Sequence, residues 1–232
     1  MKRLTFALAI ALAVPGLALA QDADRKVAGG GIAVDGWKGK IDAGAAKKGM
    51  TINDSKFAKS GDDLHLTVGP AAYYWNDAHK ASGSYTVSAT FKEPKPDAGH
   101  PHPYGIFIGG KDLETDAPNL VYCLAYSNGT YLVRGFSGGQ VVNFAPAPAA
   151  PGGRVRPEAH AAVNKAGADG VTQTIAWTVK DGTASCSING QVVASFDKAA
   201  LIGEGKLAST DGIYGLRASH NLDVIVSGFG KK

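Results

Sequence analysis

The chain has 232 residues, with 24 Lys and Arg against 20 Asp and Glu, a formal net charge of +4. So close a balance excludes the general electrostatic attraction of nucleic-acid and anionic-membrane binders, and neither partner is expected. Its 31 glycines exclude a mainly helical protein, because each glycine inside a helix costs about 1 kcal/mol relative to alanine.

Residues 1–20 read as a secretory signal. Lys2 and Arg3 precede an apolar run from Leu4 to Val14, broken only by Thr5, and Ala18-Leu19-Ala20 forms a small-x-small cleavage site. The run is shorter than the roughly 20 apolar residues that span a membrane. No cysteine follows the site to carry a lipid, and no later segment is long and apolar enough to serve as a membrane anchor. The expected product is exported, periplasmic or extracellular, and begins at Gln21. It keeps 212 residues, with 22 basic against 20 acidic once Lys2 and Arg3 are removed. Residues 21–35, with Gly29-Gly30-Gly31, are expected to form a flexible leader, and residues 36–230 a single β-sandwich domain.

Strand signals then follow one another. Leu64 to Val68 alternates and stops at Gly69-Pro70. In Ser84 to Lys92, Tyr85, Val87, Ala89 and Phe91 share one face and Thr86, Ser88, Thr90 and Lys92 the other, the pattern of a half-buried strand. Tyr104 to Ile108 is another strand. Leu120–Tyr126 and Tyr131–Phe136 form a hairpin around Ser127-Asn128-Gly129-Thr130. Asp181-Gly182 and Asn189-Gly190 favour the positive φ of tight turns, so residues 172–196 read as a three-stranded antiparallel meander. Gly212–Leu216 and Leu222–Val226 are two more strands. Pro146, Pro148, Pro151 and Pro157 keep the stretch 145–170 from being a central strand. A short helix is expected over Pro157–Lys165 and a helical turn over Ala199–Leu201. No βαβ alternation appears, so a parallel sheet is not expected.

Cys123 and Cys186 both fall within strands. Export would let a disulfide persist, across one sheet or between two. Two buried thiols acting as small apolar groups fit the sequence equally well.

Asp35-Gly36-Trp37, Gly83-Ser84-Tyr85-Thr86-Val87, Tyr104-Gly105-Ile106-Phe107-Ile108-Gly109, Ile188-Asn189-Gly190-Gln191-Val192-Val193, Gly212-Ile213-Tyr214-Gly215-Leu216-Arg217 and Val224-Ile225-Val226-Ser227-Gly228-Phe229 occur in this order. In order and spacing, this set resembles bacterial concanavalin-A-like jelly rolls, including LamG-like modules and the 3-keto-disaccharide hydrolase-like family. The resemblance implies an all-β fold of two antiparallel sheets, and in many such proteins one face or rim binds sugar. It fades where chemistry would sit. The hydrolase-like family often shows Asn-Ser-Gly where this chain has His102-Pro103-Tyr104-Gly105. It also tends to show Glu-x-Gln where this chain has Val121-Tyr122-Cys123-Leu124-Ala125.

Glycoside hydrolysis needs two carboxyl groups about 5 to 9.5 Å apart. The four glutamates are Glu93, Glu114, Glu158 and Glu204, and none has a carboxylate partner two residues away within a confident strand. Asp112 and Glu114 alternate, but in a loop. No Gly-x-Ser-x-Gly elbow, Cys-x-x-Cys pair or phosphate-cradling loop occurs. His100-Pro101-His102-Pro103 could supply two metal ligands, with a third from His65, His79, His160 or Asp97. The favoured reading is a stiff, Pro-rich loop with exposed histidines, and neither a metal nor another cofactor is expected. The densest group of aromatics surrounds one arginine. Tyr104, Tyr122, Tyr126, Arg134, His102 and Trp75 are the expected ligand-binding residues, stacking on a sugar and bonding its hydroxyls. The alternative for these rings is the core. The expected function is non-catalytic binding of a carbohydrate or another cell-envelope ligand. The alternatives are a glycoside hydrolase or lyase and a structural or adhesion domain with a protein partner.

Overall fold

The structure, a computed structural model, describes residues 23–146 and 155–232. The expected signal segment and residues 21, 22 and 147–154 lie outside the described residues.

Strands β1 (Gly31–Ile32), β2 (Trp37–Ile41), β3 (Lys56–Ser60), β4 (Asp63–Thr67), β5 (Ala72–Ala81) and β6 (Tyr85–Glu93) come first. They are followed by β7 (Tyr104–Lys111), β8 (Asn119–Ala125), β9 (Thr130–Ser137), β10 (Gln140–Ala145) and the short β11 (Glu158–Ala159). Then come β12 (Val171–Lys180), β13 (Thr183–Ile188), β14 (Gln191–Asp197), β15 (Gly212–Ala218) and β16 (Asp223–Lys231). Two four-residue helices interrupt them, α1 (Ala43–Ala46) and α2 (Lys198–Leu201). The first sheet runs β1-β3-β4-β16-β6-β12-β13-β14 and the second β10-β9-β8-β7-β15-β5-β2, with β11 added beside β9. Every strand pairing is antiparallel except β1 with β3. The two sheets form the expected all-β sandwich.

Alternation builds the core. Phe57, Leu66, Val87, Phe91, Ile175, Trp177 and Val226 of the first sheet pack against Tyr74, Ile106, Ile108, Val121, Val133 and Leu216 of the second. At about 25 cal/mol per Å² of apolar surface, this layer supplies most of the drive to fold. Polar links cross it too. The Trp177 indole N–H donates to the Ile106 carbonyl at 3.1 Å, and Phe91 stacks on Tyr104 with centroids 5.2 Å apart. Cys123 of β8 and Cys186 of β13 form a disulfide between the sheets, with Cα atoms 6.3 Å apart. The meander over 172–196 is present as β12-β13-β14, and Asp181 and Asn189 take the positive φ, 50° and 49°, that their turns require.

Two expectations are corrected. No helix forms over Pro157–Lys165. Glu158 and Ala159 instead pair with Tyr131 and Thr130, and the His160 and Ala166 amides donate to the Gly129 and Ser127 carbonyls. Long-range pairing with the β8–β9 hairpin satisfies this backbone, and weak local helix propensity cannot compete. The expected flexible leader is also partly built into the fold. The Arg25 guanidinium donates to the Val68 and Leu222 carbonyls at 3.0 and 2.5 Å, and β1 adds to the edge of β3. The helical turn near Ala199–Leu201 is present as α2.

Candidate functional site

The second sheet has apolar side chains on both faces. Away from the core, Tyr73, Trp75, Phe107, Leu120, Tyr122, Leu124, Leu132 and Phe136 form a second cluster. Strand register sets them in rows. One row runs Lys38, Trp75, Gly215, Phe107, Tyr122, Arg134 and Asn143, and the next Lys40, Tyr73, Arg217, Gly105, Leu124 and Leu132. The two glycines make room. A Cβ at Gly215 would stand 2.5 Å from the Phe107 ring, and one at Gly105 would meet the Cys123 carbonyl oxygen at 1.9 Å.

Arg217 lies in the space beside Gly105. Its Nη1 and Nη2 donate to Asp42 Oδ1 and Oδ2 at 2.7 and 2.6 Å. Its Cζ lies 5.3 Å from the Tyr122 ring centroid and 5.7 Å from that of Phe136, close enough for cation–π attraction. Burial works against the guanidinium charge, but the Asp42 carboxylate together with the Tyr122 and Tyr73 side chains drives the group further into its charged range. Its Nε–H is buried and has no hydrogen-bond partner among the described residues. Arg134 is half-buried and held by neutral acceptors, Asn143 Oδ1 at 2.7 Å and the Val155 carbonyl at 3.1 Å.

Several hollows open on this face, two of them beside the Arg217–Asp42 pair. A cleft of about 540 Å³ has Tyr73 and Phe136 in its floor and Lys40, Asp42, Asp116 and Gln140 at its rim. Helix α1 overhangs it through Ala43 and Ala46. The loop 112–118 forms the opposite wall, held by Lys40, whose Nζ donates to the Glu114 and Thr115 carbonyls and pairs with Asp116. A smaller pocket of about 120 Å³ is lined by Tyr122, Tyr126, Arg134, Arg217 and Ser219, with Pro103 at its edge.

The structure brings together four of the six expected residues. Tyr122, Tyr126 and Arg134 line the small pocket. Trp75 shares the face, 2 % exposed, with its indole N–H donating to Asp77 Oδ1 at 3.1 Å. As alternation requires, Cys123 and Ala125 point into the core. Tyr104 is a correction. It is wholly buried between the sheets, because it shares a phase with Ile106 and Ile108, and Gly105 takes the outer position instead. His102 is the second correction. It is 4 % exposed and lines a different cleft, at the end of the sandwich, with Arg25, Glu93 and Asp97. Only Pro103 of its loop reaches the outer-face pocket.

The residues that sequence reasoning missed are Arg217, Asp42, Lys40 and Tyr73. Arg217 carried a weak signal as the single charge in the strand Gly-Ile-Tyr-Gly-Leu-Arg-Ala. Asp42 carried none, since it is 175 residues from its partner.

At the end cleft, the His102 ring lies 4.7 Å from that of His100 and 4.3 Å from that of His220. The third histidine beside this pair is thus His220. His65 pairs with Asp223, His79 stacks on Tyr214 and His160 meets Tyr131. Among the described residues, no group of three or more His, Cys, Asp or Glu is arranged to hold a metal ion. Glu93 is 3 % exposed, its Oε2 has no hydrogen-bond partner, and burial pushes its carboxyl up to about 7. Its folded value exceeds the ordinary 4.5, so the folded state holds this proton more tightly. The associated stability is fully present below about pH 4.5 and is lost as pH rises through about 7. Urea unfolding should show a loss on the order of 2 kcal/mol over that window, absent in Glu93→Gln. A variant that keeps the full slope would show that another group causes it.

No family model matches the sequence, and no curated protein matches it. Solved structures do match in shape. A carbohydrate-binding module of Bacillus subtilis, CBM66, superposes with a TM-score of 0.56 at 8 % identity, covering 88 % of this chain and 99 % of that one. A Bacillus subtilis protein of unknown function with a galectin-like fold gives 0.52 at 12 %, covering 84 % and 88 %. The fold is a concanavalin-A-like jelly roll. At these identities the likeness is one of fold, and the site rests on the residues of this chain. Among the described residues, no helix is long and apolar enough to cross a membrane.

Proposed function

We propose that this protein is an exported, non-catalytic carbohydrate-binding module whose ligand lies on the outer face of the second sheet. One observation carries the reading. The outer-face cluster is roofed by α1 and the 112–118 loop into a cleft with an aromatic floor and a rim of both donors and acceptors. Aromatic rings suit the C–H faces of sugars, and Lys40, Asp42, Asp116 and Gln140 suit their hydroxyls. The volume of about 540 Å³ falls among ordinary small-ligand pockets. A sugar-binding module is also among the proteins that share the fold.

Binding without turnover is favoured by how the carboxylates are used. Asp42 is committed to Arg217, and Asp116 pairs with Lys40 on an exposed loop. Export is supported by the signal-like residues 1–20 and by the Cys123–Cys186 disulfide, a bond that persists in oxidising compartments.

A glycan array probed with the mature protein tests the reading. Some glycans should bind and be recovered intact. Ala46→Trp, which fills the cleft from α1, should weaken binding at least about tenfold, or 1.4 kcal/mol. Thr174→Trp, on the far face of the first sheet, should leave binding unchanged. Equal binding by the Ala46 variant would place the site elsewhere, and steady release of cleaved sugar would make the protein an enzyme.

A further inference from the structure

The smaller pocket on the outer face carries information about the charge of the ligand. Among the described residues, two arginines line it and no carboxylate does. Asp42 binds the Nη1 and Nη2 edge of Arg217, leaving the buried Nε–H on the flank without an acceptor among the described residues. Arg217 is only 7 % exposed, so this N–H lies beneath the pocket surface and Arg134 is the arginine within reach of a ligand. Arg134 bonds Asn143 Oδ1 and the Val155 carbonyl, both uncharged, and among the described residues no carboxylate pairs with it. The same pocket offers the Ser219 side chain and the ring edges of Tyr122 and Tyr126.

Size adds a constraint. The volume of about 120 Å³ is well below the 540 Å³ of the neighbouring cleft. That suits one substituent of a sugar, such as a carboxylate and the carbons next to it. Arg217 lines this pocket while its partner Asp42 lines the larger cleft, so the two hollows meet across one ion pair.

We propose that the small pocket is an anion subsite of the sugar-binding face, and that the ligand is an acidic carbohydrate, a uronic-acid glycan whose carboxylate is received by Arg134. This rests on the reading that the outer face binds carbohydrate. Arginine suits the task because its planar donors match the two oxygens of a carboxylate. Arg134 is held in advance by Asn143 and the Val155 carbonyl, so little ordering entropy is lost on binding.

Calorimetric titration of the mature protein tests this with oligogalacturonate and oligoglucuronate, their methyl esters, and the corresponding neutral galactose and glucose oligomers. At least one uronate should bind about ten- to a hundredfold more tightly than its ester and its neutral counterpart, the range of a charge-assisted hydrogen bond. That preference should shrink as salt is raised. Arg134→Gln should abolish it while weak neutral binding persists, and Arg134→Lys should restore part of it. The ester comparison needs no variant, so it decides the matter even if Arg134→Gln fails to fold. Equal binding of acidic, esterified and neutral sugars would overturn the anion subsite and leave the sugar-binding face standing. Binding of none of them, together with an empty glycan array, would overturn both.

Discussion

Breaking the Cys123–Cys186 disulfide should lower stability by about 4 kcal/mol, the largest single effect expected in this protein. The two residues are 63 apart in sequence, and the chain-entropy relation for a loop of that length gives this figure. Position reinforces it. The bond joins β8 of one sheet to β13 of the other, both sulfurs are fully buried, and Cys186 lies beside Trp177 in the register of the first sheet. Without the link, the unfolded chain regains the freedom to separate the sheets. Urea unfolding with and without reductant measures the effect, and the Cys123→Ala/Cys186→Ala double variant should match the reduced protein to within the cost of two small cavities. An unchanged midpoint would mean that the bond is redundant to the inter-sheet packing.

The second large effect concerns Arg217 and Asp42. Asp42→Ala should cost about 3 kcal/mol, the low end of the range for breaking a buried ion pair. The low end applies because the Asp42 side chain is 31 % exposed, so its loss is partly made good by solvent, whereas the Arg217 side chain is 8 % exposed. The guanidinium would remain charged over Tyr122 and Phe136 with both Nη groups unpaired. Removing both charges in Asp42→Ala/Arg217→Met should recover part of that cost, because a well-packed apolar pair often replaces a buried ion pair without loss. A double-mutant cycle by chemical unfolding reads this directly. If the double variant is less stable than Asp42→Ala alone, Arg217 contributes chiefly through its aliphatic stem and ring contacts.

The two cases differ in how far the sequence exposed them. Cys123 and Cys186 stood out as the only cysteines, and alternation already placed them opposite Tyr122 and within the last meander. The sequence left open whether they were bridged, since that depends on how the sheets pack. Arg217 and Asp42 belong to segments with no local relation, and only the docking of β2, β5 and β15 side by side brings them together. The Tyr104 error has a similar origin. Strand β7 is buried on both faces apart from its last residue, so no polar alternation marks its inward phase. Strand β6 has polar residues on one face, and there the phase was legible. His102 was misplaced for a further reason. Its loop lies between two hollows, and sequence neighbours diverge there, Pro103 to the outer face and His102 to the end cleft.

The sequence by itself determined the fold class, because alternation of period two and turn-forming Asn-Gly and Asp-Gly pairs are local properties that few tertiary arrangements override. It also placed Tyr122 and Tyr126 on one face of their strand, while the register that sets Arg134 opposite Tyr122, and the choice of the outer face over the core, came from the structure. Tertiary structure alone decided which residues complete that face. Lys40, Asp42, Tyr73 and Arg217 come from strands and a helix far apart in the chain. It also decided that the face is roofed into a cleft. A site on a β-sandwich is set by which strands become neighbours, and that follows from packing two whole sheets to bury their apolar faces, a global condition that no local stretch encodes.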